Sequence, residues 1–108
     1  MLAMRRWEGL RVERPIQITL YGKADCCLCD EAKQVLRRVA AAYPVALQEV
    51  DIMGDPALQD HFGAEIPVVF VEGRKAFKFR VPERELRRRL DRALADRPAA
   101  APPHGLPR

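Results

Sequence analysis

Apolar and polar residues follow two different periods in the first half of the chain. Residues 16–21, Ile-Gln-Ile-Thr-Leu-Tyr, alternate between the two classes, which predicts a β-strand that Gly22 ends. From Leu28 to Tyr43 the apolar residues recur every three or four positions while charged residues take the other side, which predicts an amphipathic helix. Pro44 ends this helix, because a proline disfavours the helical conformation in the residue before it.

A second strand and a short helix are predicted next. Residues 45–52 are rich in apolar side chains and complete a β-α-β unit with the preceding strand and helix. Asp55-Pro56 then starts a short helix, since aspartate accepts hydrogen bonds from helix-start N–H groups and proline suits the first helical position. Gly63 closes it. The two strands of a β-α-β unit are parallel, because the helix between them carries the chain back across the sheet.

A hairpin and a final helix complete the predicted elements. Residues 68–71 form a short apolar strand, and residues 72–73, Glu-Gly, are a hairpin-turn signal. The apolar positions that predict a fourth strand after this turn are Phe77, Phe79 and Val81. A last amphipathic helix begins near Pro82. Its predicted buried stripe consists of Leu86, Leu90, Ala93 and Leu94.

The order of these elements predicts the class of fold. It is βαβαββα, which indicates a small α/β domain: a four-stranded mixed sheet with helices on both faces. This domain spans residues 15–95. Residues 1–14 are predicted to be an N-terminal extension, and residues 96–108, rich in proline and alanine, are predicted to be a flexible tail.

Size and composition restrict the classes of function. A chain of 108 residues that is 48% hydrophobic and 31% charged suits one soluble globular domain. It shows no membrane-length apolar segment and no secretory signal, so we expect a cytoplasmic protein without a membrane partner. Part of the net charge of +4 lies in residues 74–92, where a predicted helix turns its charged side to solvent. We therefore expect no nucleic-acid partner.

All three cysteines, Cys26, Cys27 and Cys29, fall where the first strand turns into the first helix. Ordinary cytosolic thiols stay reduced, so this cluster indicates catalysis or metal binding rather than a structural disulfide. Cys26 and Cys29 stand one helical turn apart. A helix start favours a thiolate through its free N–H groups and partial positive charge, and Lys23 adds a further charge. The pattern predicts that Cys26 attacks a disulfide and that Cys29 resolves the product.

The neighbours of this pair refine the prediction. Asp25 is a candidate cap for the first helix, whereas Asp30 and Glu31 suit the helix dipole but oppose a thiolate close by. Cys27 is rotated about 100° from Cys26 around the helix axis, so we expect it to point away from the exchange site.

The chain resembles glutaredoxin-like proteins of the thioredoxin superfamily, in particular the short bacterial group. Residues 21–29, Tyr-Gly-Lys-Ala-Asp-Cys-Cys-Leu-Cys, are similar to the first active-site segment of glutaredoxins. Residues 66–68, Ile-Pro-Val, are similar to their second segment, in which the proline is cis. The resemblance covers residues 15–95, including the order of the elements, and it implies a thioredoxin-like fold.

The resemblance also implies roles for individual residues. Cys26 corresponds to the nucleophile, Cys29 to the resolving thiol, and Pro67 to the cis-proline that packs against the disulfide site. The residues that the resemblance implies for binding of the substrate or of glutathione are Lys23, Tyr21, Ile66 and Pro67.

Two departures from the family pattern bear on glutathione. Cys27 and Leu28 replace the usual proline and aromatic residue between the cysteines. Residues 79–83, Phe-Arg-Val-Pro-Glu, stand where the family has the Gly-Gly-x-Asp segment that holds glutathione. Thiol exchange is therefore implied more strongly than glutathione specificity. We expect a monomer that acts on a disulfide-containing protein or on glutathione, with glutathione as a co-substrate and no permanently bound cofactor.

Two other functions stay open from the sequence. Three thiolates can hold zinc, copper(I) or an iron–sulfur cluster shared between two subunits, but a closed site lacks a fourth ligand and His61 lies outside any finger spacing. We assign no metal ligand. Alternatively, the chain is a binding module that keeps the fold for its peptide groove or for the basic face of Arg87, Arg88 and Arg89, and exchange is incidental. The dithiol at a helix start favours the oxidoreductase.

Overall fold

The computed structural model describes residues 14–96. Its strands are β1 (Ile16–Gly22), β2 (Val45–Asp51), β3 (Val68–Val71) and β4 (Arg74–Lys78). Its helices are α1 (Cys27–Ala42), α2 (Pro56–Phe62) and α3 (Glu83–Ala95), and one turn of 3₁₀ helix, Ile52–Gly54, follows β2. This order confirms the predicted βαβαββα arrangement.

The four strands form one mixed sheet in the order β2-β1-β3-β4. β1 and β2 are parallel, with Ile16 opposite Val45, because α1 carries the chain back across the sheet between them. β3 is antiparallel to both of its neighbours, β1 and β4. The β3–β4 hairpin turns at Glu72 and Gly73, whose φ angles of 52° and 81° suit the twist of a two-residue hairpin. The mixed sheet and the hairpin are thus confirmed.

The main core lies on one face of the sheet. The alternating β1 residues Ile16, Ile18 and Leu20 are at most 1% exposed, and Leu86 and Leu90 of α3 are fully buried over them. The residues that α1 buries are Cys29, Ala32, Leu36, Val39 and Ala40. The helical stripes predicted from three- and four-residue spacing therefore face this core.

The opposite face of the sheet is covered by α2 through a cluster of aromatic rings. The Tyr21 side chain lies on the face of the sheet opposite to that of Leu20, because neighbouring residues of a strand face opposite sides. Its ring stacks on Phe62 of α2, with the ring centroids 4.6 Å apart. Phe70 of β3 meets both rings edge-on. Helices cover both faces, as predicted.

Two aspartates fix the segment between β2 and β3. The Asp51 carboxylate accepts a hydrogen bond from the N–H of Met53 at 2.8 Å, so β2 ends one residue earlier than predicted and Ile52 starts the 3₁₀ turn. Asp55 caps α2 by accepting bonds from its first N–H groups, and Gly63 stands at the C-cap. The predicted bounds of this helix are confirmed.

The fourth strand is shorter than predicted. β4 ends at Lys78, and Phe79 leaves the sheet with a left-handed φ of 69°. The backbone N–H of Phe79 donates to the carbonyl of Pro67 at 2.8 Å, and the left-handed residue turns the chain toward α3. The prediction that Phe79 and Val81 continue the strand is wrong, although Val81 is buried in the main core.

The predicted N-terminal extension, residues 1–14, and the predicted tail, residues 96–108, lie outside the described residues apart from Arg14 and Asp96. Among residues 14–96, no helix is both long and apolar enough to span a membrane.

Candidate active site

The cysteines lie at the edge of the sheet where three strands end. β2 is parallel to β1, and β3 is antiparallel to both β1 and β4, so β1, β2 and β4 all run in one direction. The segments that follow these strands therefore meet at one edge, where β3 begins. We call this the thiol edge; it comprises residues 23–26, 52–54, 66–67 and 79–82. Chain segments far apart in the sequence thus come together around the dithiol.

Cys26 occupies the N-cap position of α1. Its backbone is extended, with φ of −124° and ψ of 112°, and its Sγ accepts a hydrogen bond from the backbone N–H of Cys29 at 3.2 Å. This N–H is one of the donors that a helix start leaves without a partner, so the bond and the helix dipole both stabilise negative charge on the sulfur. The Cys26 side chain is half-buried, which leaves it accessible to a second sulfur.

The prediction that Asp25 caps this helix is wrong. Asp25 precedes the cap, its side chain is exposed, and its φ of 58° lies in the left-handed region. Aspartate tolerates this region better than most residues, so the turn between β1 and α1 explains its presence. The sequence pointed to the wrong residue because aspartate is a common cap and cysteine is not among the preferred ones.

Cys29 is fully buried against the first strand. A Cβ atom added to Gly22 would lie 3.1 Å from the Cys29 Sγ, so the close packing of α1 on β1 favours glycine there. Burial, helped by a hydrogen bond with the Cys26 side chain and by charge on that sulfur, raises the pKa of the Cys29 thiol to about 11, while a hydrogen bond from the Lys23 backbone acts in the opposite direction. At neutral pH the two sulfurs therefore differ: one is accessible beside a helix-start N–H, and the other is a buried, protonated thiol.

The raised pKa of Cys29 predicts a loss of stability in alkali. In the unfolded chain this thiol ionises near its ordinary pKa of 9.0, but in the folded protein it stays protonated up to about 11. Its contribution is complete below pH 9.0 and is lost as the pH rises to about 11, on the order of 2 kcal/mol of the free energy of unfolding. Urea unfolding of the reduced protein at both ends of this window measures the loss.

The matched control for this prediction is Cys29→Ala, which lacks the titrating thiol. Tyr43, whose pKa is raised by burial and by its hydrogen bond to Asp91, titrates in both proteins. The wild type should lose more stability than the variant across the window. An equal loss in both proteins would contradict the assigned state of Cys29.

Two other side chains of the cysteine segment, those of Cys27 and Lys23, face solvent. Cys27 is exposed whereas Cys29 is buried, which agrees with the prediction that Cys27 points away from the exchange site. The Lys23 side chain is exposed as well, while its backbone forms a hydrogen bond with the Cys29 sulfur.

Pro67 lies at the thiol edge beside the first strand. The peptide bond that precedes it is cis, which confirms the prediction, and its side chain is fully buried. Val68, the next residue, stands opposite Tyr21 in the β1–β3 ladder. Pro67 and Gly22, the residue against which Cys29 packs, are the next residues of the two chains beyond this last pair of the ladder.

Two further residues were predicted to bind the substrate or glutathione. Ile66 is half-buried at the thiol edge, next to Pro67. The ring of Tyr21 is half-buried in the aromatic cluster under α2, with Phe62 and Phe70 around it. Roles for Ile66 and Tyr21 in binding stay predictions.

The alternatives left open by the sequence gain no support from the geometry. Among residues 14–96, no group of three or more His, Cys, Asp or Glu side chains is arranged to hold a metal ion, and His61 is exposed beside Phe62. On α3, Arg87 pairs with Glu83 and Arg88 with Glu85. Pairs between residues of the same helix are typical of a solvated face.

Sequence reasoning missed part of the thiol edge. Phe79 is 43% exposed and Met53 is 55% exposed, and in residues 14–96 they are the large hydrophobic side chains left in solvent. The Arg80 guanidinium lies 3.6 Å from the carboxylate of Glu31 in α1, which links the segment after β4 to the cysteine helix. Phe79 was missed because its alternation with neighbouring residues resembles that of a strand.

The fold and the arrangement of the site together define the class of protein. A mixed β2-β1-β3-β4 sheet with helices on both faces, a Cys-x-x-Cys pair at the start of the first helix and a cis-proline beside it constitute a thioredoxin fold. The profile of the family described as "Glutaredoxin-like domain (DUF836)" matches residues 17–91, and the chain belongs to this family.

Individual relatives agree with this assignment. Protein XcR50 of X. campestris is 34% identical, with a TM-score of 0.58 over 69% of this chain and 96% of that one. An uncharacterized protein of Mycobacterium tuberculosis is 27% identical over 92 residues, which cover 81% of this chain and 94% of the relative. A mutant thioredoxin of Halobacterium salinarum, 18% identical, has a TM-score of 0.56 over 74% of this chain and 75% of its own, which shows the shared fold.

Proposed function

We propose that this chain is a cytoplasmic thiol–disulfide oxidoreductase that reduces protein disulfides or glutathione mixed disulfides. Cys26 is the nucleophile and Cys29 is the resolving thiol. The observation that carries the proposal is the asymmetry of the pair: the Cys26 Sγ accepts the Cys29 N–H at 3.2 Å at a helix start, while the Cys29 side chain is fully buried. A sulfur that is accessible and stabilised as an anion is the attacking one.

The reaction takes place in two exchange steps. The Cys26 thiolate attacks one sulfur of the substrate disulfide, that S–S bond breaks, and the departing thiolate takes a proton from water. The Cys29 thiol then loses its proton and attacks the Cys26 sulfur, which releases the second substrate thiol. The substrate gains two electrons and two protons, and the protein is left with a Cys26–Cys29 disulfide.

The hydrogen bond and the electrostatic interaction between the two sulfurs affect when each one reacts. Charge on Cys26 and a hydrogen bond with its side chain both help to raise the pKa of Cys29. Once Cys26 is joined to the substrate it carries no charge, so this opposition to ionisation of Cys29 disappears. Burial, the main cause of the raised pKa of Cys29, remains, but ionisation of Cys29 becomes easier once a mixed disulfide has formed.

Regeneration of the dithiol needs an external thiol, for which glutathione is our proposed co-substrate. Lys23, Tyr21, Ile66 and Pro67 are the proposed contacts for the bound thiol compound. Two observations support this choice for three of the four residues. The Lys23 side chain is exposed, and Ile66 and Pro67 lie at the thiol edge. The monomer is the proposed active form.

Alkylation of each cysteine as a function of pH tests the proposal. The reduced protein is treated with iodoacetamide, and mass spectrometry of its peptides gives the rate at each sulfur. Cys26 should react fastest at neutral pH, Cys27 should react as an ordinary exposed thiol, and Cys29 should react only in strong alkali. Cys26→Ser should remove the fast reaction, whereas Cys27→Ser should leave it in place. Equal rates and profiles at all three sulfurs would contradict the proposal.

A further inference from the structure

Both large hydrophobic side chains that the described residues leave in solvent lie at the thiol edge. Met53 belongs to the 3₁₀ turn after β2, and Phe79 follows β4. Chance would distribute such side chains over the whole surface. Both lie at the same end of the sheet as Cys26, where a substrate of this thiol binds.

The order of the strands places these two residues on opposite sides of the dithiol. β1, which leads to Cys26, lies between β2 and β4 in the sheet. β2 and β4 are three strand spacings apart, about 14 Å. An extended chain rises about 3.3 Å per residue, so a segment of roughly five residues that lies across this edge reaches from β2 to β4 and passes the end of β1, which leads to Cys26.

Phe79 carries an aromatic ring at a position whose backbone conformation does not favour one. Its backbone φ of 69° is unfavourable for a bulky side chain and is tolerated best by glycine or asparagine. Its backbone N–H is held by the Pro67 carbonyl, and the Lys78 Nζ lies 5.5 Å from the centroid of its ring. The backbone of Phe79 is thus held next to the cis-proline, while its ring is partly exposed at the surface.

The charged groups near Phe79 have partners within the chain. Arg80 pairs with Glu31 at 3.6 Å, and Lys78 lies 4.0 Å from Glu65. Cations that already face carboxylates contribute less to binding of an acidic tripeptide such as glutathione. These carboxylates offset part of the positive charge around the exposed Phe79 ring.

We infer that Phe79 and Met53 are specificity-determining residues, which dock an extended segment of a protein substrate with apolar side chains on both sides of its cysteine. The inference rests on the proposed exchange reaction and names its substrate class: protein disulfides flanked by apolar residues, in preference to small disulfides.

The test compares two short peptides that differ only beside their cysteine. One carries leucine on both sides and the other carries serine, and each is joined to 2-mercaptoethanol as a mixed disulfide. The second-order rate constant with which the reduced protein consumes each peptide is measured, together with that for bis(2-hydroxyethyl) disulfide. The variants are Phe79→Asn, which keeps a residue suited to the left-handed backbone, Met53→Ser, and the control Arg74→Ser. Arg74 is exposed at the opposite edge, in the β3–β4 hairpin.

The wild type should prefer the leucine peptide by about tenfold, at low and at high salt. This preference should fall to about twofold in Phe79→Asn and partway in Met53→Ser, and it should persist in Arg74→Ser. The melting temperature of Phe79→Asn should equal or exceed that of the wild type, so that a loss of preference cannot be attributed to unfolding.

Other outcomes separate two kinds of failure. If the wild type consumes bis(2-hydroxyethyl) disulfide but does not distinguish the two peptides, the docking surface is refuted and the exchange reaction stands. A preference that survives in both Phe79→Asn and Met53→Ser refutes the docking surface in the same way. If the wild type consumes none of the disulfides, the proposed function fails and this inference fails with it.

Discussion

Replacement of Cys26 by serine should lower the rate constant for reduction of bis(2-hydroxyethyl) disulfide by about a thousandfold or more. A serine hydroxyl is not ionised at neutral pH and forms no bond to sulfur that exchange could later break. The hydrogen bond from the Cys29 N–H, which stabilises charge on the Cys26 sulfur at 3.2 Å, then has no thiolate to act on. The rate is measured by following the thiols released under excess disulfide.

Cys27→Ser is the matched control for this substitution. It makes the same chemical change one residue further along, at an exposed sulfur outside the buried contact with β1. Its rate constant should stay within about twofold of the wild type, as for a surface substitution away from the reacting atoms. If both variants lose the same share of activity, the nucleophile has been assigned to the wrong sulfur.

Leu90→Ala should lower the free energy of unfolding by about 3 kcal/mol. Leu90 is fully buried where α3 packs on the main core, so truncation removes apolar contact and leaves a cavity. For a domain of this size the melting temperature should fall by about 15 °C. Urea unfolding monitored by circular dichroism measures the change.

Two neighbours on the same helix provide graded controls. Leu94→Ala truncates a half-buried side chain and should cost roughly half as much, while Arg89→Ala changes an exposed one and should cost less than about 0.5 kcal/mol. A loss at Arg89 as large as that at Leu90 would indicate that α3 does not pack as described.

The elements could be predicted where local pattern and tertiary packing agree. The alternation in β1 and the helical stripe of α1 both correspond to burial against one core, and Asp55 caps α2 through a bond within its own turn. β4 was predicted too long because Phe79 alternates like a strand residue. The strand ends because Phe79 adopts a left-handed φ of 69° while its N–H stays bonded to Pro67, twelve positions away, and no local pattern contains this contact.

Some features of the candidate site could likewise be predicted from the sequence, and others could not. The spacing of Cys26 and Cys29 at a helix start is visible in the sequence, and so is the proline of the second segment. The difference between the two sulfurs depends on packing: Cys29 is buried because α1 approaches β1 closely at Gly22. The thiol edge likewise depends on strand order, which brings Met53 and Phe79 to opposite sides of the dithiol although 26 positions separate them in the chain.

The most direct measurement is the trapping of a mixed disulfide on a variant that cannot resolve it. Cys29→Ala removes the resolving sulfur without placing an unpaired hydroxyl in a fully buried position. After reaction with a disulfide peptide, mass spectrometry of the digested protein should find the peptide bonded to Cys26, whereas the wild type should carry an internal Cys26–Cys29 bond and free peptide. A peptide attached mainly to Cys27, or an internal bond that excludes Cys29 in the wild type, would contradict the roles assigned to the pair.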